Sequence, residues 1–245
     1  MPTAAELIRR GARQHGARTA LLCGDERLTF AETNELAARI AAALRGRGLE
    51  RVGLLLDNRL ESVPLDFACA KAGIARVPLN TRLAEPEMRE ILRTARARLV
   101  VSDRDADLGV DTLPLETLLA EARGQPADEP PEPRPDDDLL LLATSGTTGR
   151  LKLVRHTQAS YAAIVANILA NLVRPERDDV MLHAASLIHA SGTFVLPFWL
   201  HGAASAVLPG FVPAEFLAAI PRFRVTHTNL VPTMLAALLA APETA

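Results

Sequence analysis

Short apolar runs, each followed by a stretch whose apolar positions recur at helical spacing, alternate along most of this chain. A strand buried on both faces reads as a continuous apolar run, whereas a helix packed on one side repeats its apolar residues three and four apart. The alternation therefore predicts an α/β fold with mostly parallel sheets covered by helices. Residues 19–23 and 27–29, separated by Gly24-Asp25, read as a hairpin. Thr29 and Glu32 have capping-box spacing, and Leu36, Ile40 and Leu44 line one face of the helix that follows. Residues 52–56 read as the next buried strand, with a helix over 60–72. Strands at 76–79 and 98–101 bracket a helix through Met88 and Leu92.

Between residues 124 and 138 the composition turns to proline and acid, which buries little and reads as a solvated connector. The expected division is a first α/β subdomain at 1–123, this connector at 124–138, and a second α/β subdomain at 139–245. In the second, strand-like pieces at 139–143, 180–183, 204–208 and 225–230 alternate with helices near 157–172, 194–200, 214–220 and 233–239.

The segment Thr144-Ser145-Gly146-Thr147-Thr148-Gly149-Arg150-Leu151-Lys152 stands apart from this pattern. Glycines let a backbone turn its N–H groups outward, hydroxyls add donors, and a terminal cation supplies charge, which together suit a polyphosphate. Lys152 is one of only two lysines in the chain, the other being Lys71, so a compact ammonium is set here against a background of arginine. The spacing is not that of a Walker A loop, which requires Gly-Lys-Ser/Thr after four intervening residues. Gly46-Arg47-Gly48 lacks the third glycine of a dinucleotide fingerprint and reads as a helix C-terminus. As a bare turn, 144–152 is also compatible with a simple flexible connection.

Ala143 to Gly149 followed by Lys152 resembles the phosphate-binding signature of the adenylate-forming superfamily, which includes acyl- and aryl-CoA synthetases, nonribosomal peptide adenylation domains and luciferases. Leu28-Thr29-Phe30-Ala31-Glu32 is similar to that family's early Leu-Thr-Tyr-x-Glu element. Ala70-Lys71-Ala72-Gly73-Ile74-Ala75-Arg76-Val77-Pro78-Leu79-Asn80 is similar to its Lys-Ala-Gly-x-x-x-Val-Pro-Leu segment. Leu187-Ile188-His189-Ala190-Ser191-Gly192 and Val225 to Met234 follow in the family's order. Leu151 and Leu153 depart from the proline and glycine that usually flank the lysine. The family's Tyr-Gly-x-Thr-Glu element, ribose-binding aspartate, hinge and C-terminal domain have no counterpart before Ala245, so the resemblance implies the N-terminal portion of such an enzyme.

The resemblance implies ATP-dependent activation of a carboxylic acid as an acyl-adenylate, then transfer to the thiol of coenzyme A or of a carrier protein's phosphopantetheine. Thr144, Ser145, Gly146, Thr147, Thr148, Gly149 and Lys152 would hold the phosphates, with Mg2+ sharing the charge. Lys152 and His189 would take part in catalysis. His189, Gly192, Thr193, Phe194, Thr228, Asn229 and Val231 would line the acid pocket.

Amino-acid-activating relatives place an aspartate near 188–191 to pair with the substrate ammonium, but no carboxylate lies between Met181 and Pro213. An ammonium buried there would be uncompensated, so the expected acid, aryl or aliphatic, lacks a free α-amine. The rival reading is a non-catalytic module of the same fold that binds a nucleotide or a partner domain.

A hydrophobic content of 49% and a net charge of -2 fit a globular chain and disfavour nucleic acid as a partner. No apolar run approaches the roughly 20 residues of a membrane span. Cys23 and Cys69 follow no signal peptide, so a disulfide is not expected and the cytoplasm is the default compartment. Lys71 reads as a structural residue capping its helix. His183 and His227, in apolar strands, read as core histidines, and a zinc site at His183 and His189 lacks a cysteine or carboxylate at ligand spacing.

Overall fold

The computed structural model describes residues 1–145, 151–188 and 190–241. Its elements run α1 (Ala4–His15), β1 (Thr19–Cys23), β2 (Glu26–Thr29), α2 (Phe30–Arg45), β3 (Arg51–Leu55), α3 (Ser62–Ala72), β4 (Ala75–Pro78), α4 (Glu85–Ala95), β5 (Leu99–Ser102), β6 (Asp111–Pro114) and α5 (Leu115–Arg123). They continue with β7 (Asp138–Ser145), β8 (Leu151–Thr157), α6 (Gln158–Asn171), β9 (Val180–His183), a 3-10 turn (Ala190–Phe194), α7 (Val195–His201), β10 (Ala204–Val207), α8 (Pro213–Phe223), β11 (His227–Thr228) and α9 (Pro232–Leu239). The α/β class expected from the alternation is what the chain adopts.

Contacts gather into two units, one of Met1–Leu7, Asn34–Leu56 and Pro64–Ala163, the other of Ile8–Thr33, Asp57–Val63 and Ile164–Ala245. The first holds a six-stranded sheet ordered β6-β5-β3-β4-β7-β8, parallel except for the last pair. Leu55, Val77 and Val100 from its strands pack with Met88, Ile91 and Leu92 of α4. Complete burial of each such side chain contributes roughly 1.5–3 kcal/mol. The second unit holds a five-stranded sheet ordered β11-β9-β10-β1-β2, again parallel except for the terminal hairpin. Leu182 and Ala206 of that sheet pack with Phe216 and Ala219 of α8 and Leu238 of α9.

These units do not follow the division at 1–123, 124–138 and 139–245. Strands β7 and β8 complete the sheet begun by β3, while β1 and β2 pair with β10 from the far end of the chain. Sheet pairing is non-local, and a boundary drawn from composition cannot register it.

The 124–138 stretch is mostly exposed, as its composition requires, yet it is pinned to the first unit. Lys71 Nζ, fully buried at the end of α3, donates to Glu129 Oε1 and to Asn34 Oδ1, each at 2.8 Å. Asn34 Nδ2 donates to the same Glu129 oxygen at 2.8 Å, closing a triangle. Glu132 accepts from the Thr3 hydroxyl, and Pro133 is buried. The structural role expected of Lys71 thus extends to tertiary contacts: it ties down the proline-rich strap. A buried ammonium requires a partner, and an acidic stretch supplies one.

Local signals act as expected at α2. Glu32 N donates to Thr29 Oγ1 at 3.1 Å and Thr29 N donates to Glu32 Oε2 at 2.8 Å, a reciprocal cap. The Thr29 N–H, first among its partners, holds the Glu32 carboxyl below the ordinary carboxylate range. At the other end, Gly48 takes φ +62°, which closes the helix without a Cβ penalty.

Candidate functional site

Thr144 and Lys152 stand directly opposite one another in the antiparallel pair β7–β8, and Ser145 stands opposite Leu151. The two ends of the hydroxyl-rich segment are therefore paired with one another at the adjoining ends of β7 and β8. Opposed residues in such a pair project to one face, and both Thr144 and Lys152 are exposed. On the alternate face Ala143 and Leu153 pack toward the α4 core. Thr144 Oγ1 donates to the Lys152 carbonyl at 3.4 Å, a weak bond across the strand pair. Gly146, Thr147, Thr148 and Gly149 lie outside the described residues.

A strand not expected from the sequence, β8, carries Lys152 and separates it from α6, which begins at Gln158, close to the helix expected near 157–172. Leu151 and Leu153, the departures from the family pattern, are side chains packed against the core on either side of an exposed lysine. The Leu-Lys-Leu alternation was the available signal for a strand.

In the second unit, His183 ends β9 fully buried, with Nδ1 at 2.9 Å from Ser191 Oγ and Nε2 at 3.2 Å from Ser205 Oγ. Ser191 Oγ in turn donates to Asn229 Oδ1 at 3.0 Å. Burial holds the imidazole neutral, with its pKa lowered to about 3. The register that pairs Ser205 with Met181 and Val207 with His183 puts His183 and Ser205 on one face of the sheet. His183 is thus a satisfied core histidine, as expected, but one bonded toward Asn229. The linkage through Ser191 is invisible in sequence because it joins residues far apart in the chain.

The remaining candidates have distinct settings. Gly192 sits where an added Cβ would meet the Leu187 carbonyl oxygen at 2.0 Å, so the close backbone approach admits only glycine. Thr193 and Phe194 are half-buried on the 3-10 turn, and Phe194 packs with Met181, Phe198 and Ala203. The exposed Thr228 donates its hydroxyl to the Leu182 carbonyl at 3.1 Å and so serves the β11–β9 edge. Val231, 43% exposed, immediately precedes α9. His189 lies outside the described residues.

The segment leading to His189 is anchored by a residue that sequence reasoning passed over. Asn58, buried, accepts from Leu187 N at 2.8 Å and donates to the carbonyls of Ala185 at 2.9 Å and Leu208 at 3.2 Å. Among the described residues no group of three or more His, Cys, Asp or Glu side chains could hold a metal ion.

Residues 8–245 match the family described as AMP-binding enzyme. The chain belongs to that family. Among relatives of the AMP-binding chain, a feruloyl-CoA synthase of Amycolatopsis is 34% identical over 96% of this chain and 50% of its own length. A long-chain-fatty-acid–CoA ligase of Mycobacterium tuberculosis is 30% identical over 89% of this chain and 47% of its own. The chain thus spans about half the length of these curated relatives. Among solved structures, the inhibitor-bound N-terminal domain of FACL13 from Mycobacterium tuberculosis superposes with a TM-score of 0.89 at 30% identity, covering 99% of this chain and 66% of that one.

Proposed function

We propose that this AMP-binding chain provides the nucleotide-gripping part of an ATP-dependent acid:thiol ligase whose acid carries no free α-amine. The observation that carries the reading is the Thr144–Lys152 pair, a hydroxyl and an ammonium held on one exposed face at the ends of β7 and β8.

In the first half-reaction a carboxylate oxygen attacks the α-phosphorus of ATP. The bond to the bridging oxygen between the α- and β-phosphorus breaks, and pyrophosphate leaves with the bonding pair. Thr144, Ser145, Thr147, Thr148 and the backbone N–H groups of the segment stabilise the β- and γ-phosphates by hydrogen bonds, and Lys152 adds a point charge. Mg2+ carried on the triphosphate's own hard oxygen ligands would supply positive charge to the departing pyrophosphate, since no cluster of His, Cys, Asp or Glu side chains lies among the described residues to hold it. His189, Gly192, Thr193, Phe194, Thr228, Asn229 and Val231 supply the acid pocket. In the second half-reaction the sulfur of coenzyme A, or of a carrier protein's phosphopantetheine, attacks the adenylate carbonyl carbon and AMP departs.

Support for a CoA-ligase chemistry comes from the names of the similar proteins. The absence of any carboxylate from 181 to 213 supports an acid without an ammonium. Acid-dependent exchange of labelled pyrophosphate into ATP tests the reading on the 245-residue protein and on any longer product of the gene. Exchange with aryl or aliphatic acids, diminished in Lys152→Ala, is the expected result. Nucleotide binding with no exchange in either protein would favour the non-catalytic module.

A further inference from the structure

The hydrogen-bonded chain from Ser205 through His183 and Ser191 to Asn229 has a direction, and that direction fixes what Asn229 presents. A neutral imidazole has one N–H donor and one bare nitrogen, so only two proton orders are open. In one, Ser205 donates to Nε2, Nδ1–H donates to Ser191 Oγ, and Ser191 donates to Asn229 Oδ1. Reversal makes the Asn229 amide N–H donate to Ser191, Ser191 donate to Nδ1, and Nε2–H donate to Ser205. The reversed order leaves the Ser205 hydroxyl proton without an acceptor among the described residues, and Ser205 is only 3% exposed. A buried donor with no acceptor has lost its hydration without compensation, which disfavours that order. The first order leaves no hydroxyl proton without an acceptor and is the one favoured.

Its consequence appears at the far end of the chain. Asn229 Oδ1 is held by Ser191, so the carboxamide cannot swing its oxygen outward. Asn229 is half-buried, and its Nδ2 has no partner among the described residues. Ser191 is fully buried, so the anchoring hydroxyl is shielded from competition by water. The chain thus ends in a fixed N–H donor.

We infer that Asn229 is a specificity-determining residue, oriented by His183 and Ser191 to donate a hydrogen bond to an acceptor oxygen on the non-reacting part of the acid, so that the substrate is an oxygenated acid bearing an ether, carbonyl or similar group. This rests on the acid-activation reading above, with Asn229 in its pocket. His183 and Ser191 are positioning residues, since neither reaches solvent and each acts through the next.

Two measurements test the inference. Nitrogen-15 NMR of histidine-labelled protein, with His183→Gln to assign the signal, reads the tautomer without need of turnover. A proton on Nδ1 and a bare Nε2 are expected; a proton on Nε2 would overturn the inference, because Asn229 would then present an oxygen. The second measurement is pyrophosphate exchange with matched acids in which an ether oxygen replaces a methylene, such as methoxybenzoates against ethylbenzoates and oxa-alkanoates against alkanoates.

Within the best-accepted pair the oxygenated acid is expected to be favoured about fivefold to tenfold in kcat/KM, the scale of one hydrogen bond. Asn229→Leu erases that preference. Ser191→Ala, which releases the carboxamide, reduces it to about twofold, chiefly through KM. Exchange in which each pair reacts equally, or in which Asn229→Leu keeps the preference, would overturn the inference while leaving acid activation standing. Should no acid support exchange, the activation reading fails; ligand-observed NMR of acid binding then decides the inference, and equal binding of each pair overturns it.

Discussion

Lys71 and Lys152, the only lysines in the chain, mark two regions of the first unit that use the same charge in opposite ways. Around Lys71 the ammonium is fully buried, and Asn34 and Glu129 complete a closed triangle that holds the proline-rich strap. Around Lys152 the backbone carries the structure, through the β7–β8 ladder and the inward Leu151 and Leu153, while the ammonium stands exposed. A cation enclosed by its own fold stabilises; one held on a rigid strand with its charge facing solvent is available to a ligand. The same contrast separates His183, buried in a satisfied chain, from the exposed Thr144–Lys152 pair.

Removing each lysine in turn separates the two roles most strongly. Lys71→Ala deletes a buried side chain and strands the Asn34 oxygen, and it is expected to lower stability by about 2–4 kcal/mol in urea denaturation. Lys152→Ala is expected to change stability by less than about 0.5 kcal/mol. Equal losses in the two variants would contradict the contrast.

The next effect concerns pH. His183 has a folded pKa of about 3, below its unfolded value of 6.5. The unfolded chain therefore binds a proton over that window while the folded protein does not. Its contribution to stability is complete above about pH 6.5 and is lost as the pH falls toward 3, amounting to about 2 kcal/mol between pH 7 and 5. His183→Gln should flatten the acid limb of the stability profile by that amount relative to the parent protein. Unaltered acid sensitivity in the variant would mean that the buried imidazole does not titrate as described.

A smaller effect is expected at the ligand. Lys152→Ala should weaken MgATP binding about tenfold, roughly 1.4 kcal/mol, with most of the affinity lost at high salt in the parent protein and less in the variant. Calorimetric titration at two ionic strengths checks both statements. Smallest of all, Thr29→Ala removes one half of the α2 cap and should cost about 1 kcal/mol, measurable as a shift in the urea midpoint with an unchanged slope.

Much of this molecule could be read from the chain, for reasons visible in particular residues. Thr29 and Glu32 cap α2 because their side chains reach backbone groups only three positions away. Buried runs such as Val180–His183 became strands because their burial needs no partner's identity to be known. What escaped was long-range or masked by composition. The pairing of Arg76 with Leu140, which carries β7 into the first sheet, cannot be seen from either segment alone. Strand β8 is disguised in the sequence because Lys152, Arg155 and His156 break an otherwise apolar run, although Leu151 and Leu153 keep the two-residue period. Nothing near Lys71 in the chain points beyond its own helix, because Glu129 lies 58 positions away. At the candidate site the residue types were legible at the β7–β8 pair, whereas the order of donors behind Asn229 required three distant segments to be brought together.

The most direct test of the account is a structure of the protein with an ATP analogue bound. The triphosphate tail is expected beside the paired ends of β7 and β8, with a phosphate oxygen within hydrogen-bonding distance of the Lys152 ammonium and the Thr144 hydroxyl. Phosphates bound elsewhere, with Lys152 facing bulk solvent in the complex, would contradict it.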